Sequence, residues 1–453
     1  MAETIMTRGK PWKVILTFAL PMMAASLLQQ LYNTADTLII GNFESDQALA
    51  AVGSCAYLVG LFVGVGMSLA LGAGICVSQV YGARDYSRAR QFAGAGSLLV
   101  VFIGLAMAVI AFLVSRPLLE NVIAVPDAIL EDAVLYAQIY AVGIFFQFGY
   151  CAFSSQIRAI GDSRTTMFIL MVTTILNILL DLFFVAGLHW GVAGVAVATT
   201  ICQFVSMALA FICMVKLYPL FYFSKLRWKI DWPTVRDVFR TGIPLTGQSF
   251  LIFGGFMVLQ NLVNSFGVEV TASFAVSGRL ELYMLVPLIA VLQAVSTYAG
   301  QNYGAQAYDR LIAGMKQAIL LNVVIMGVMG TLGFILAPWL VSCFGVTETS
   351  AGYAVEHLRV ASIDLILYAI YSPISGICLG IGKSWVLLAV STVELTGRII
   401  FANLLADDIG VACIWWNEPP AWMIVVIALY AFYFCYLKKR ITTPESLTEQ
   451  GQR

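Results

Sequence analysis

Five carboxylates stand inside long apolar stretches of this chain: Asp36, Asp181, Glu281, Asp364 and Glu394. A charge at bilayer depth is disfavoured by at least about 2.5 kcal/mol, so each is a candidate for handling ions or cargo. Counting 1.5 Å per residue along the apolar runs puts Asp181 roughly 22 Å from the inner face, with Asn177 one turn below it on the same helical face. On the same count Thr199 lies roughly 10 Å in from the outer side, near the level of Asn177. Asp36 falls late in the first apolar run, also towards the outer leaflet. Two carboxylates, an amide and a hydroxyl are therefore expected to meet in one pocket. Hard oxygen ligands of this kind suit a proton or a small alkali cation such as Na+, and not a transition metal. A carboxyl group removed from water holds its proton more readily, which suits it to proton exchange near neutral pH.

The second half of the chain carries a different set. Glu394 and Arg398 are spaced i, i+4 and are expected to form an ion pair within one helix. Glu281 and Asp364 are left either to line a cleft and attract a cationic substrate, or to pair with Arg279 or Arg359.

The elements that position these residues follow from composition. Of 453 residues, 60% are hydrophobic and 11% charged, with a mean hydropathy of +0.88, which excludes an ordinary soluble domain. Apolar runs bounded by charged or turn-forming residues predict twelve membrane spans, the first over roughly 14–40, the seventh over 241–265, the eleventh over 385–405 and the last over 421–437. The fold class is thus all-α membrane protein. The first run is too long for the apolar region of a signal peptide and reads as a permanent span. With the N-terminus inside, 21 of the 25 Lys and Arg fall on inner segments and Arg116 alone in an outer loop, so both termini are expected in the cytoplasm. The charges balance at 25 of each sign, which gives no global field for nucleic acid.

Three motif pairs recur at a steady offset. ALP ending at Pro21 matches GIP ending at Pro244, QVYGARDYSR from Gln79 matches QNYGAQAYDR from Gln301, and AIGDS from Ala159 matches GIGKS from Gly380. The register indicates duplication of a six-helix unit. Because six is even, the copies are related by a pseudo-two-fold axis along the membrane normal, with a cleft expected between them. The expected organisation is an N-terminal bundle over 1–220 holding the cation site, a cytoplasmic interfacial linker over 221–240, and a C-terminal bundle over 241–453. By offset, Leu259 stands where Asp36 does, Ala402 where Asp181 does, and Arg398 where Asn177 does. Only the first half therefore reads as specialised for the ion.

Pro21 and Pro244 occupy equivalent points in the first span of each half, where a missing hydrogen bond permits a bend, and they are assigned as hinges. The glycines of the second span, Gly60 to Gly74, read as a close-packing face. Nine scattered cysteines with no CxxC pair indicate neither zinc nor redox chemistry. GICLGIGKS, Gly376 to Ser384, misses the phosphate-loop spacing by one residue and follows an apolar span instead of a strand. His189 and His357 lie near outer loop edges, and no nucleophile and base constellation is visible, so no enzyme is expected.

The first span ALPMMAASLLQQLYNTADTLIIG, the QVYGA and QNYGA loops, RAIGDSR (Arg158 to Arg164) and NILLD (Asn177 to Asp181) together resemble the multidrug and toxic compound extrusion (MATE) family, in its DinF/MepA-like branch. The resemblance covers nearly the whole chain. It implies a cation site at Asp36, Asn177, Asp181 and Thr199 with Tyr136 as neighbour, and a substrate path that includes Asn33, Gln248, Glu281 and Asp364. The seventh span departs from the NorM-like pattern, offering Gln248 where that branch has an acid.

The resemblance implies a secondary active multidrug efflux transporter, a monomer that exchanges H+ or Na+ for hydrophobic or cationic small molecules by alternating access. No cofactor is expected beyond the coupling ion. The expected location is the bacterial or archaeal cytoplasmic (inner) membrane, with the lipid bilayer and amphipathic substrates as partners. The alternative is a flippase for a lipid-linked precursor of the wider superfamily. A flippase would need a cationic cleft for pyrophosphate, whereas acids outnumber arginines within the spans.

Overall fold

The computed structural model describes residues 6–438. The outer ends of the two expected bundles, 1–5 and 439–453, lie outside the described residues. Among the described residues, twelve helical segments are long and apolar enough to cross a membrane, as the hydropathy pattern predicts. In chain order they are α1 (Pro11–Phe43), α2 (Gln47–Gly82), α3 (Tyr86–Asn121), α4 (Asp127–Ala159), α5 (Arg164–Gly187), α6 (Gly191–Leu217), α7 (Trp232–Ser265), α8 (Val268–Gly304), α9 (Tyr308–Ser342), α10 (Glu348–Gly380), α11 (Trp385–Ala406) and α12 (Gly410–Tyr436). Among the described residues there is no strand. Large side chains such as Leu113 and Leu320, each 68% exposed, point outward, as a chain solvated by lipid requires.

Short polar caps set the helix starts. Ser45 Oγ accepts from Ala48 N at 3.2 Å, Asp85 Oδ1 from Arg88 N at 3.0 Å, and Thr347 Oγ1 from Ser350 N at 3.3 Å. Asp162 does the same for α5, its Oδ1 accepting from Arg164 N at 2.8 Å and Thr165 N at 3.1 Å. Each cap satisfies an amide that the first helical turn leaves without a carbonyl partner.

The duplication is written into the backbone. Eight of the eleven positive-φ residues among the described residues fall in pairs: Arg84 and Gln306 are 222 positions apart, while Ala124 and Gly345, Gly161 and Gly382, and His189 and Gly410 are each 221 apart. Four of these eight are not glycine, and such residues adopt positive φ only where the surrounding turn demands it. The ring pair Tyr81–Tyr86, with centroids 6.0 Å apart, also recurs as Tyr303–Tyr308 at 6.1 Å.

Contacts divide the described residues into two units, 20–249, and 250–438 with 6–19. In the first, α4 is central and packs against α2, α3 and α6. Phe148 of α4 is fully buried, and Gly66 of α2 and Gly104 of α3 lie so close to its side chain that a Cβ would fall 2.7 Å from it at Gly66 and 2.5 Å from it at Gly104. In the second, α10 takes the central place against α8, α9 and α12. There the QNYGA motif holds the chain's N-terminal segment: Gln301 Oε1 accepts from Met6 N at 3.1 Å, and Asn302 Nδ2 donates to Met6 O at 3.2 Å.

The segment 221–240, expected to be a linker throughout, is irregular only as far as Asp231. From Trp232 onward it is the start of α7, because Pro233 suits a first helical turn and nothing after it breaks the helix. Pro21 and Pro244 both lie inside continuous helices, α1 and α7.

Candidate functional site

The first unit brings four polar side chains together from three helices. Asp36 comes from α1, Asn177 and Asp181 from α5, and Thr199 from α6. Asn177 and Asp181 are completely buried and Thr199 is 3% exposed. The Asp36 carboxyl neighbours that of Asp181, and the Asn177 amide lies beside Asp181 as the one-turn spacing requires. Asp36 Oδ1, both Asp181 oxygens, both Asn177 amide atoms and Thr199 Oγ1 are buried without a hydrogen-bond partner in the protein. An orphaned buried polar atom costs about 1–3 kcal/mol unless something outside the chain satisfies it, and six of them gather here. Asp181 is also followed at once by a π-helical turn, Leu182–Gly187, an irregularity common at functional positions.

Aromatic residues wall the pocket. Tyr136 of α4 is buried near both acids and stacks on Tyr140 with ring centroids 5.9 Å apart. Tyr140 Oη accepts from Gln203 Nε2 at 3.0 Å, and Gly143 makes room for the Gln203 amide, which a Cβ there would strike. Tyr32, one turn before Asp36 on α1, places its hydroxyl beside Thr199 and Asp36. Sequence reasoning passed over Tyr32; its i−4 spacing from Asp36 was the available signal.

The remaining candidates are distributed between the units. Asn33 is exposed and donates to Gln30 Oε1 at 3.5 Å, while Gln248 is half-buried on α7. Both belong to the first unit, and Glu281 and Asp364 to the second. Neither Arg279 nor Arg359 pairs with those two acids: Arg279 is exposed, and Arg359 lies over the Phe334 ring at 5.2 Å. Glu281 and Asp364 instead gather around Arg398 together with Glu418. Both Asp364 oxygens are buried and unpartnered.

Arg398 forms the expected pair with Glu394 at 3.5 Å, but Glu418 of α12 comes closer, at 3.2 Å. Asn417 Oδ1 accepts from Arg398 Nε at 3.1 Å, and Tyr368 Oη donates to Glu418 Oε1 at 2.6 Å. Glu418 is 3% exposed. Its position just before Pro419 and Pro420 reads in sequence as an outer loop, which is why it went unnoticed there. His357, expected near an outer edge, is buried, stacked between Phe274 and Trp415, with its Nδ1 2.6 Å from Ser277 Oγ. Among the described residues no group of three His, Cys, Asp or Glu side chains has the geometry to hold a metal ion.

Comparison with known proteins fits this architecture. The MatE family model matches residues 21–183 and again 244–404, one match per repeat. The chain is 25% identical over 453 residues to the probable multidrug resistance protein YoeA of Bacillus subtilis, covering 96% of both chains. It is 31% identical over 300 residues to YpnP, a probable multidrug resistance protein of the same organism, covering 66% of each. It is 25% identical to the multidrug export protein MepA of Staphylococcus aureus, with 97% of each chain covered. The fold is that of a MOP superfamily transporter from Pyrococcus furiosus, at a TM-score of 0.91 and 20% identity over 98% of this chain and 99% of that one. Two family matches in register with the internal repeat, on a chain of twelve membrane-length helices, make this a multi-pass membrane protein of the MATE transporter family.

Proposed function

We propose that this chain is a cation-coupled antiporter that exports hydrophobic or cationic small molecules by alternating access, with Asp36, Asn177, Asp181 and Thr199 binding the coupling ion. The observation that carries the reading is the set of six orphaned polar atoms in the first unit, enclosed by Tyr32, Tyr136 and Tyr140. Two neighbouring carboxyls in such a place repel each other when both are charged, and one H+ or one Na+ between them relieves the repulsion. Similarity to the probable multidrug resistance proteins YoeA and YpnP and the multidrug export protein MepA supports drug export as the coupled process. Pro21 and Pro244 are the hinges in this scheme, since each removes one helical hydrogen bond within the first half of its segment. The protein works as a monomer in the cytoplasmic membrane with both termini inside, in keeping with the Lys and Arg count.

The test is ethidium efflux from proteoliposomes under a proton gradient and a sodium gradient imposed separately, with Asp36→Asn alongside the unaltered protein. One gradient should drive efflux and the substitution should abolish it without loss of folded protein. Unchanged efflux by well-folded Asp36→Asn would overturn the reading, and failure of both gradients with folded protein would turn attention to lipid-linked cargo.

A further inference from the structure

In the first unit the chain between α6 and α7 is laid along the start of α3. Two short turns, Pro219–Phe221 and Phe223–Lys225, lead it away from α6, and Leu220, Phe221 and Leu226 bury themselves in the core of the unit. Arg227 then crosses Gly94 of α3 so closely that a Cβ there would strike its carbonyl group. Four residues further on, the Gln91 side chain hydrogen-bonds to Asp231. Segment and helix thus share a seam that runs from Gly94 to Gln91, with Arg90 at its end and Trp228 within it.

Two N–H groups of these residues, Arg90 Nε and Trp228 Nε1, are buried with no hydrogen-bond partner in the protein. Guanidinium and indole can only donate, so whatever completes them must bring acceptor oxygens. The Trp228 ring is fixed in place by Phe223 and Phe211, with centroids 5.5 and 6.3 Å away. The surrounding charge is positive. Lys216, Lys225, Arg227, Lys229, Arg236 and Arg240 are all exposed, against Asp231 and Asp237, and Asp237 is paired with Arg236 at 3.5 Å. Beside these cations stand apolar side chains open to the surroundings, Leu217 at 50% exposure, Phe223 at 61% and Trp232 at 75%. Aromatic and basic residues so mixed belong at the level of lipid headgroups. The repeat supplies a contrast: at an offset of 222, Ile312 stands for Arg90 and Met6 for Trp228, so the second unit has neither donor.

We propose that this seam binds the phosphate of an anionic phospholipid, with Arg90 and Trp228 donating to its oxygens. Arg227 and Lys229 supply the attraction that favours a net negative headgroup over a zwitterionic one, and Leu217, Phe223 and Trp232 lie against the glycerol and acyl portions. Hydrogen bonds from a charged donor to phosphate are about twice as strong as neutral ones, which makes Arg90 the principal contact. The lipid is held without any gradient, so the inference is independent of ion coupling at Asp36.

The experiment is native mass spectrometry of the purified full chain in detergent, titrated with dioleoyl phosphatidylglycerol and separately with dioleoyl phosphatidylcholine. The first phosphatidylglycerol should bind about fivefold more tightly than phosphatidylcholine. Arg90→Gln should weaken phosphatidylglycerol by about tenfold, and Trp228→Phe, which keeps a ring and removes the N–H, by about fivefold. Arg227→Gln with Lys229→Gln, both at exposed positions, should bring the two lipids to within about twofold of each other. Lys316→Gln, exposed on α9 of the second unit, should change neither lipid. Equal binding of the two lipids by the unaltered chain would overturn the proposal, as would unchanged phosphatidylglycerol binding in folded Arg90→Gln, or a loss in Lys316→Gln as large as that in Arg90→Gln. Inorganic phosphate at the lipid's own concentration should not displace it, and displacement would assign the seam to a free anion instead. If Arg90→Gln does not fold, Trp228→Phe and the exposed double variant decide.

Discussion

Arg398 of α11 lies closer to Glu418 of α12, at 3.2 Å, than to Glu394 one turn away on its own helix, at 3.5 Å. The cross-helix pair therefore ties α11 to α12, and Tyr368 of α10 joins it through a 2.6 Å hydrogen bond to the same Glu418 oxygen. Glu418 is buried, so its charge depends on the partners that surround it. Arg398→Met strands that carboxylate and should lower stability by about 3–5 kcal/mol, the usual cost of breaking a buried pair from one side. Glu418→Gln added to Arg398→Met should recover part of the loss, since the stranded charge is then gone. Thermal unfolding of the detergent-solubilised variants measures both. A double variant no more stable than Arg398→Met would show that Arg398 does not serve chiefly to neutralise Glu418.

Close packing around Phe148 makes a second prediction. A Cβ at Gly104 would sit 2.5 Å from Phe148 Cβ and 2.8 Å from its Cγ, atoms that no rotation of the ring can move away. Gly104→Ala should therefore cost about 1–3 kcal/mol through overpacking between α3 and α4. Removing both opposing atoms with Phe148→Gly should make the same alanine much less costly. The comparison is a double-mutant cycle on unfolding temperature, and simple additivity of the two changes would mean that Phe148 is not what the alanine strikes.

Outside the membrane, Tyr218 follows the end of α6 and donates to Asp162 Oδ2 at 2.6 Å, the residue that caps α5. Burial, followed by the adjacent Asp162 carboxylate, pushes the Tyr218 phenol above its ordinary value of 10.0. The folded protein holds this phenol neutral more strongly than the unfolded chain does. Its contribution is therefore complete below pH 10 and is lost as pH rises from there through the higher folded value. Tyr218→Phe should cost about 1 kcal/mol at neutral pH, for one hydrogen bond, and should lessen the alkaline decline. Unfolding followed between neutral and strongly alkaline pH tests this, and an alkaline decline as steep in Tyr218→Phe would assign it to other groups.

The sequence by itself determined the twelve helices, their duplication and the identity of the acids inside them. Hydropathy and motif register are properties of contiguous residues, so they survive without knowledge of packing. The offset of 221 to 223 was legible in three motifs and returns in the backbone as four left-handed pairs. The meeting of Asp36, Asn177, Asp181 and Thr199 was legible too, because rise per residue converts position into depth. Depth does not say which way a helix is rotated. Tyr32 and Glu418 entered the two clusters only through helix rotation and the folding-in of α12, and for the same reason Asp364 and Glu281 pair with neither Arg279 nor Arg359 among the described residues. A cavity in the second unit was likewise invisible, since empty space is left by the crossing of α7 and α11, whose close approach glycine at 255 permits, a Cβ there falling 2.5 Å from Leu395. Which side chains converge across helices is decided by rotation and crossing, and those are set by the packing of all the segments together.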